Sequence, residues 1–456
     1  MDVLEEYLDR LSRCGGLSSN QQAVELLALL NLDPQTNPYI VKINSLPFKR
    51  EKQIHEMIDS KHLYNDDWLA FNEVVFSFIK LSNQLNPWSV LESFDLYTLF
   101  LNDVSVAFSN YNRGQVLSYL VKSTINIIIP MAVKLDHQLY YKDNCARPRL
   151  AYLASILLKI FNNIRSQLGD TNDNPLKKSI ILFVGGKLCS IYFRLSNPLL
   201  CRNIFSNMNN ANLSFTSFEI NEQIRYRYYL ARFYMMKDQL VDAYQNFTWC
   251  LLRCPFLQNN RNITNILRYL LPISIVIGKR PNFAYLRTTY YTDEPEFFGI
   301  YSLLYNYIRV GNIAGYNATV VSNYKYLKQY DLLLLVASKA KVVLLRNLLK
   351  NIWKSTGRPL KLEYDTIRHG LQFALGPDRP HLDYLTLLCN VEDDSTIENV
   401  LICLIDQNLL RGKIFSRLRA IALSKSNVFA RLETINFTRF GHGIEGTMST
   451  SDRWMS

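Results

Sequence analysis

The chain has 456 residues, a length that could hold two or three domains, and it is 48% hydrophobic and 20% charged, a globular composition that excludes a disordered protein. Its net charge of +12 is unevenly placed: residues 1–110 hold eight Lys and Arg against fifteen Asp and Glu, net −7, whereas residues 111–456 hold 43 against 24, net +19. The basic part calls for an anionic partner, nucleic acid first and an acidic protein second.

The N-terminus "MDVLEEYLDRLSR" is acidic and amphipathic, unlike the basic-then-apolar start of a secretory signal, so no signal peptide is expected. Helical periodicity dominates to about residue 355, broken by "NLDPQTNP" (31–38), "DTNDNP" (170–175), "SNMNNANLSF" (206–215) and "TDEPE" (292–296), with "GPDRP" (376–380) beyond. The apolar runs "STINIIIPMAV" and "SIILFVGGKLCSIYF" are too short for a bilayer span, and the second carries Lys187 at its middle. They read as core helices. Within the second, "VGGKL" (184–188) has neither Walker spacing nor the Ser or Thr that magnesium needs, since Leu188 stands there. Buried helix packing accounts for it better than a phosphate loop.

One stretch has a repeat signature. In "RYYLARFYMMKDQLVDAYQNFTWCLLRCP" the tetratricopeptide frame is met by Leu230, Ala231, Tyr234, Ala243, Phe247 and Pro255, with Arg227 where the frame has Trp. The alanines let two helices approach and the aromatic rings fill the space between them. A single unit cannot bury its own face, so neighbouring helices must stack on it, the candidates lying in 179–206, 262–281, 301–321 and 329–356. The rings of "RYRYYLARFYMM" (225–236) are therefore assigned to core packing rather than to base stacking. Cys250 and Cys254 sit one helical turn apart, but no second Cys or His pair has structural-zinc spacing. Eight scattered cysteines, Cys250, Cys389 and Cys403 among them in helical patterns, suit buried thiols in a reducing compartment, nuclear or cytosolic. The six histidines fall in no familiar catalytic motif. No enzyme activity, no cofactor and no metal is expected.

Positive charge then accumulates. Residues 339–361 carry Lys339, Lys341, Arg346, Lys350, Lys354, Arg358 and Lys361 with no acid, and on a helix Arg346, Lys350 and Lys354 form a stripe opposite buried Leu345, Leu348, Leu349 and Ile352. Ile397, Val400, Leu401, Leu404 and Ile405 mark one face of a further helix, with Ser395 and Glu398 as its capping box and Glu392, Asp393 and Asp394 favouring its N-terminal dipole. After Asn408 the period falls to two, through Ile414, Ile421 and Leu423, which predicts a short β-hairpin. A second acid-free run, with Arg411, Lys413, Arg417, Arg419, Lys425 and Arg431, lies in and beside that hairpin. Two such runs near a helix and hairpin predict a nucleic-acid surface made of Lys339, Lys341, Arg346, Lys350, Lys354, Arg411, Lys413, Arg417 and Arg419. Residues from 437 on are rich in Gly, Ser and Thr and read as a flexible tail.

The predicted fold is all-α with a small β-hairpin: a right-handed, tetratricopeptide-like helical solenoid ending in a winged helix. Its parts are an N-terminal helical region (1–175), helical repeats (176–356), the winged helix (357–436) and the tail (437–456). That order resembles the PCI domain, named for the proteasome lid, the signalosome and a translation initiation factor. The closing "IENVLICLIDQNLLRGKI…AIALSK" is similar to the family's winged helix, and "NPWS" (86–89), "SFDL" (93–96), "KLCSIYFRLSNPLLCRNIF" (187–205), "IRYRYYLARFY" (224–234) and "ILRYLLPISIVIGKRP" (266–281) narrow the resemblance to the PCI subunits of the nuclear transcription-export complex 2, the fungal Thp type. The resemblance implies a subunit that pairs with the PCI region of a large Sac-type scaffold beside a small acidic Sem-type protein. It further implies a joint surface for RNA or DNA, a place in the nucleus at the nuclear envelope or pore, an indirect link to the nuclear pore, and no membrane partner. The alternative is a PCI subunit of a signalosome-associated or proteasome-lid-type assembly, whose surfaces serve protein contacts only.

Overall fold

The computed structural model describes residues 3–47, 50–142, 146–168, 174–211, 213–255, 260–290, 296–376, 391–441 and 454–455. The chain folds as two units, residues 1–229 with 451–456, and residues 230–450. Residues 377–380 of "GPDRP" and Cys389 lie outside the described residues.

The first unit is a succession of helices: α1 Val3–Cys14, α2 Ser19–Leu30, α3 Pro38–Asn44, α4 Glu51–Asp59, α5 Leu69–Gln84, α6 Val90–Phe108, α7 Ser118–Gln138, α8 Pro148–Ser166, α9 Pro175–Arg194, α10 Cys201–Asn209 and the first turns of α11 Ile220–Met236. Their starts follow from local chemistry. Asn37 caps α3 by accepting the Tyr39 amide and Ser89 caps α6 by accepting that of Glu92, while Pro148 and Pro175 occupy first turns where a missing N–H does no harm.

Helix α7 departs from expectation. With the 3-10 turn before it, it spans Gly114–Gln138, long and apolar enough to cross a membrane by length and composition. The run "STINIIIPMAV" is thus the middle of a longer element. Its Leu120, Val121, Ile125, Ile128 and Leu135 are buried, and it packs against α2, α6, α8 and α9. Near its end the buried carboxylate of Asp136 accepts hydrogen bonds from the Arg149 Nη1 at 3.2 Å and the Leu150 amide at 3.0 Å, as a core helix requires. Lys177 at the start of α9 is 1% exposed. Its Nζ donates to the Asn110 carbonyl at 2.9 Å and to Gln167 Oε1 at 2.8 Å, and lies 4.7 Å from the Phe108 ring centroid. Burial pushes this ammonium down to about 8. "VGGKL" is buried inside α9, where a Cβ on Gly185 would stand 3.3 Å from Ile204 and 3.4 Å from Phe161.

The expected tail is partly built in. Trp454 sets its ring edge-on to Phe215 at 5.1 Å and to Tyr226 at 5.5 Å, and the Met455 carbonyl accepts a hydrogen bond from Arg227 Nη2 at 2.6 Å. Polar flanking sequence conceals this anchor, because two side chains give no period.

The second unit continues α11 into α12 Leu240–Arg253, α13 Asn260–Val276, α14 Phe283–Thr289, α15 Glu296–Val310, α16 Ile313–Ser322, α17 Tyr324–Gln329, a π-helical turn Leu335–Ala340 and α18 Lys341–Ser355. Leu230, Ala231, Tyr234, Ala243 and Phe247 are all buried, and Phe247 stacks on Tyr269 of α13 with centroids 5.8 Å apart and planes 9° from parallel. The next helix therefore covers the repeat's face. After α18 come β1 Lys361–Glu363, α19 Tyr364–Leu375, α20 Asp394–Asp406, β2 Gly412–Phe415, β3 Ala420–Leu423 and α21 Leu432–Phe440. The strands form an antiparallel sheet in the order β1-β3-β2, with Leu362 and Ile414 both opposite Ile421. A hairpin was expected, and the third strand is new. Three residues are too few to show a period of two. Gly370 brings α19 onto α18, since a Cβ there would fall 2.3 Å from the Ile352 side chain. The cap of α20 also differs from expectation: Asp393 accepts the Ser395 amide at 3.1 Å, while Glu398 instead accepts the Tyr364 hydroxyl at 2.9 Å. An Asp at the N-cap reaches the backbone with a charged oxygen, so it displaces the Ser395 box. Helix α21 runs to Phe440, four residues into the expected tail, and is held by Asn436 donating to the Ile277 carbonyl at 2.7 Å.

Candidate nucleic-acid interface

The wing is the β2–β3 hairpin, whose tip is a single 3-10 turn at Ser416–Leu418. Its outward side shows Arg411, Lys413 and Arg417, all exposed and, among the described residues, paired with no carboxylate. Strand alternation produces this: Ile421 and Leu423 face the core formed with Ile397, Val400, Leu401 and Leu404, so polar neighbours face out. Arg419 behaves otherwise. Its backbone is left-handed at φ 44, and its guanidinium reaches Asp394 through Nε at 2.7 Å and Asp365 through Nη2 at 3.1 Å. Arg368 grips the same two carboxylates. The Arg419 hydrogen bond holds the Asp394 carboxyl below its usual range. Arg419 is thus a clamp of the winged helix, and its charge is already answered.

On α18 the expected stripe is cut short. Lys341 is 2% and Arg346 5% exposed, so neither belongs to a surface. Lys341 donates to Asn317 Oδ1 at 3.3 Å, and Arg346 donates through Nη2 to the Ala430 carbonyl at 2.5 Å and through Nη1 to Asn347 Oδ1 at 3.0 Å. The cause is that α18 is enclosed on more than one side, by α15, α19 and residues 428–430. Lys339 is half-exposed and forms an ion pair with Asp238. Lys350 is half-buried, and burial followed by the charges of Arg346, Lys354 and Arg280 lowers its ammonium. Lys354 is exposed. Of the nine cations expected at the surface, Arg411, Lys413, Arg417, Lys350 and Lys354 remain on it without a carboxylate partner among the described residues.

The winged helix also exposes apolar groups: Phe373 is 90% exposed and Leu418 67%, with Leu360, Ile402 and Phe415 bare to a lesser degree. Sequence reasoning missed two cations near α18, Arg280 and Arg309. Each lies two residues from a left-handed glycine that ends a helix, Gly278 after α13 and Gly311 after α15. "GKRP" and "RVGN" were the available signals, basic residues beside a glycine C-cap. Among the described residues no group of His, Cys, Asp and Glu could hold a metal ion.

A run of helix pairs closed by a three-stranded winged helix is the architecture of a PCI domain, the helical solenoid ending in a winged helix. No family model matches the chain. It is, however, 28% identical over 448 residues to the nuclear mRNA export protein THP1 of Saccharomyces cerevisiae, covering 95% of this chain and 96% of that one. A PCI domain-containing protein of Schizosaccharomyces pombe is 21% identical over 93% of this chain and 94% of its own length. Enhanced ethylene response protein 5 of Arabidopsis thaliana is 22% identical over 94% of this chain and 95% of its own. The motif resemblance and the full-length similarity thus point to the same group of proteins.

Proposed function

We propose that the chain is a non-enzymatic scaffold subunit of a nuclear, transcription-coupled mRNA-export complex. It pairs through its winged helix with the PCI region of a large Sac-type scaffold, beside a small acidic Sem-type protein, and offers a basic surface to RNA or DNA. The observation that carries this reading is the coexistence on the winged helix of bare apolar side chains, Phe373, Phe415 and Leu418, with the cations Arg411, Lys413 and Arg417, which pair with no carboxylate among the described residues. Exposed rings of that size favour a protein partner, and cations without carboxylates favour phosphates. Full-length similarity to a nuclear mRNA export protein supports a nuclear place of work, and the complex would act at the nuclear envelope or pore. The test is affinity purification of the tagged chain from nuclear extract, with the bound proteins identified, followed by a mobility-shift assay of the copurified complex on single-stranded RNA and DNA. Recovery of a second PCI protein with retarded nucleic acid is the expected result. The signalosome- or lid-type reading keeps the apolar face but needs no nucleic acid. It is favoured by the engagement of Arg419 and Lys339 with carboxylates, and a purified complex that retards neither RNA nor DNA would establish it.

A further inference from the structure

A concavity of about 230 Å³ opens in the second unit between the end of α13, the end of α15 and α18. Besides Lys279, five cations line it, Arg280, Arg309, Arg346, Lys350 and Lys354, and among the described residues no carboxylate does. None of the five forms an ion pair among the described residues. The one further cation, Lys279, has its charge answered by Glu433 at 3.0 Å. The amides in the wall are committed to the fold: Asn347 donates to the Ile308 carbonyl at 3.0 Å and Asn351 to the Val310 carbonyl at 2.9 Å, which pins α18 to the end of α15. The deepest cation is the most telling. Arg346 is 5% exposed, its two terminal nitrogens meet neutral oxygens, and among the described residues its Nε has no partner. A buried guanidinium surrounded by like charges and left one donor short is unfavourable for an empty fold and favourable for one that receives an anion. Burial, and then the charges of Arg346, Lys354 and Arg280, lower the Lys350 ammonium.

We propose that this cleft is a phosphate-anion site, in which Arg346 and Lys350 form the floor and Arg280, Arg309 and Lys354 the rim. Phosphate suits it because its oxygens accept several hydrogen bonds at once from converging cations. The inference goes beyond the nucleic-acid reading of the wing: it shares Arg346, Lys350 and Lys354 with the basic surface expected on α18, but it does not need the wing. A compact polyphosphate and a phosphate of an RNA backbone present the same chemistry, and the test separates them.

The full chain is titrated with sodium tripolyphosphate by calorimetry, against chloride at equal ionic strength, and separately with a single-stranded RNA oligomer. Arg309→Ala with Lys354→Ala, both at exposed positions, is compared with the wing pair Lys413→Ala with Arg417→Ala, and Lys350→Met serves as a second cleft variant. One tripolyphosphate should bind per chain and raise the melting temperature, and affinity should weaken roughly tenfold for each cleft cation lost. The wing pair should leave it unchanged. If tripolyphosphate does not bind but the cleft variants weaken RNA, the phosphate is supplied by RNA and the site stands. If wild type and folded cleft variants bind both probes alike, or bind neither, the cleft is no phosphate site, whatever the wing does.

Discussion

Replacing Lys413 and Arg417 together by alanine removes two exposed cations while leaving Ile421, Leu423 and the rest of the wing's core in place. Each phosphate contact releases counterions, so the slope of log affinity against log salt for single-stranded RNA should flatten by roughly 0.7 per contact, hence by about 1.4 for the pair. Over a fourfold rise in salt, from about 50 to about 200 mM, the wild type should then lose roughly sevenfold more affinity than the variant. Arg419→Ala is the internal control. Its guanidinium is already held by Asp394 and Asp365, so it makes no phosphate contact, releases no counterion, and the slope should stay that of the wild type. Fluorescence anisotropy of a labelled RNA with the copurified complex at three salt concentrations measures all three slopes, and size-exclusion chromatography verifies that the complex is intact. The reasoning fails if Arg419→Ala flattens the slope as much as the pair does, or if the pair leaves it unchanged.

Phe247→Ala, which empties a fully buried ring position stacked on Tyr269, should lower stability by about 3–5 kcal/mol in denaturant unfolding of the second unit; a loss under about 1 kcal/mol would show that the repeat frame is misplaced. Phe373→Asp, at a ring 90% exposed, should leave the melting temperature of the chain alone but abolish copurification of the proposed PCI partner, and retention of that partner would remove that face from the interface. Lys177 has a folded pKa of about 8 against 10.5 for an ordinary lysine. The unfolded chain therefore binds the extra proton between those values, and stability should rise with pH across that window, by up to about 3 kcal/mol from this group, with no further contribution below it. The difference between wild type and Lys177→Met, followed by chemical denaturation from pH 7 to 10.5, isolates the effect, and a flat difference would refute it.

The repeat was legible because its determinants are local: Leu230, Ala231, Tyr234, Ala243 and Phe247 fall at spacings that only a helix pair satisfies, and all five are buried. The hairpin was legible for the same reason, through its period of two. What the basic runs would do was less visible, since a run without acids in sequence need not lack them in space. Lys339 finds Asp238 from 101 residues away, and Arg419 finds Asp365 from 54 and Asp394 from 25. Arg346 looked exposed because its helix has an apolar arc opposite it. That arc says nothing of residues 428–430, which reach Arg346 from 84 positions later in the chain. The cleft escaped notice because its cations come from the loop after α13, from α15 and from α18, and only folding puts Arg280 and Arg309 beside Lys350.

The seat of Trp454 and Met455 has a practical bearing. A shortened protein ending near residue 440, the natural choice for anyone trimming polar sequence before crystallisation, would strip one face from Phe215 and Tyr226 and take from Arg227 the carbonyl it now grips. The injury would appear in the unit built from the opposite end of the chain, as an apparent instability of residues that had not been touched. Affinity tags belong for the same reason at the N-terminus, and a protease cut between 442 and 450 would leave a short peptide still seated against the first unit, so that a gel alone would overstate what had been removed.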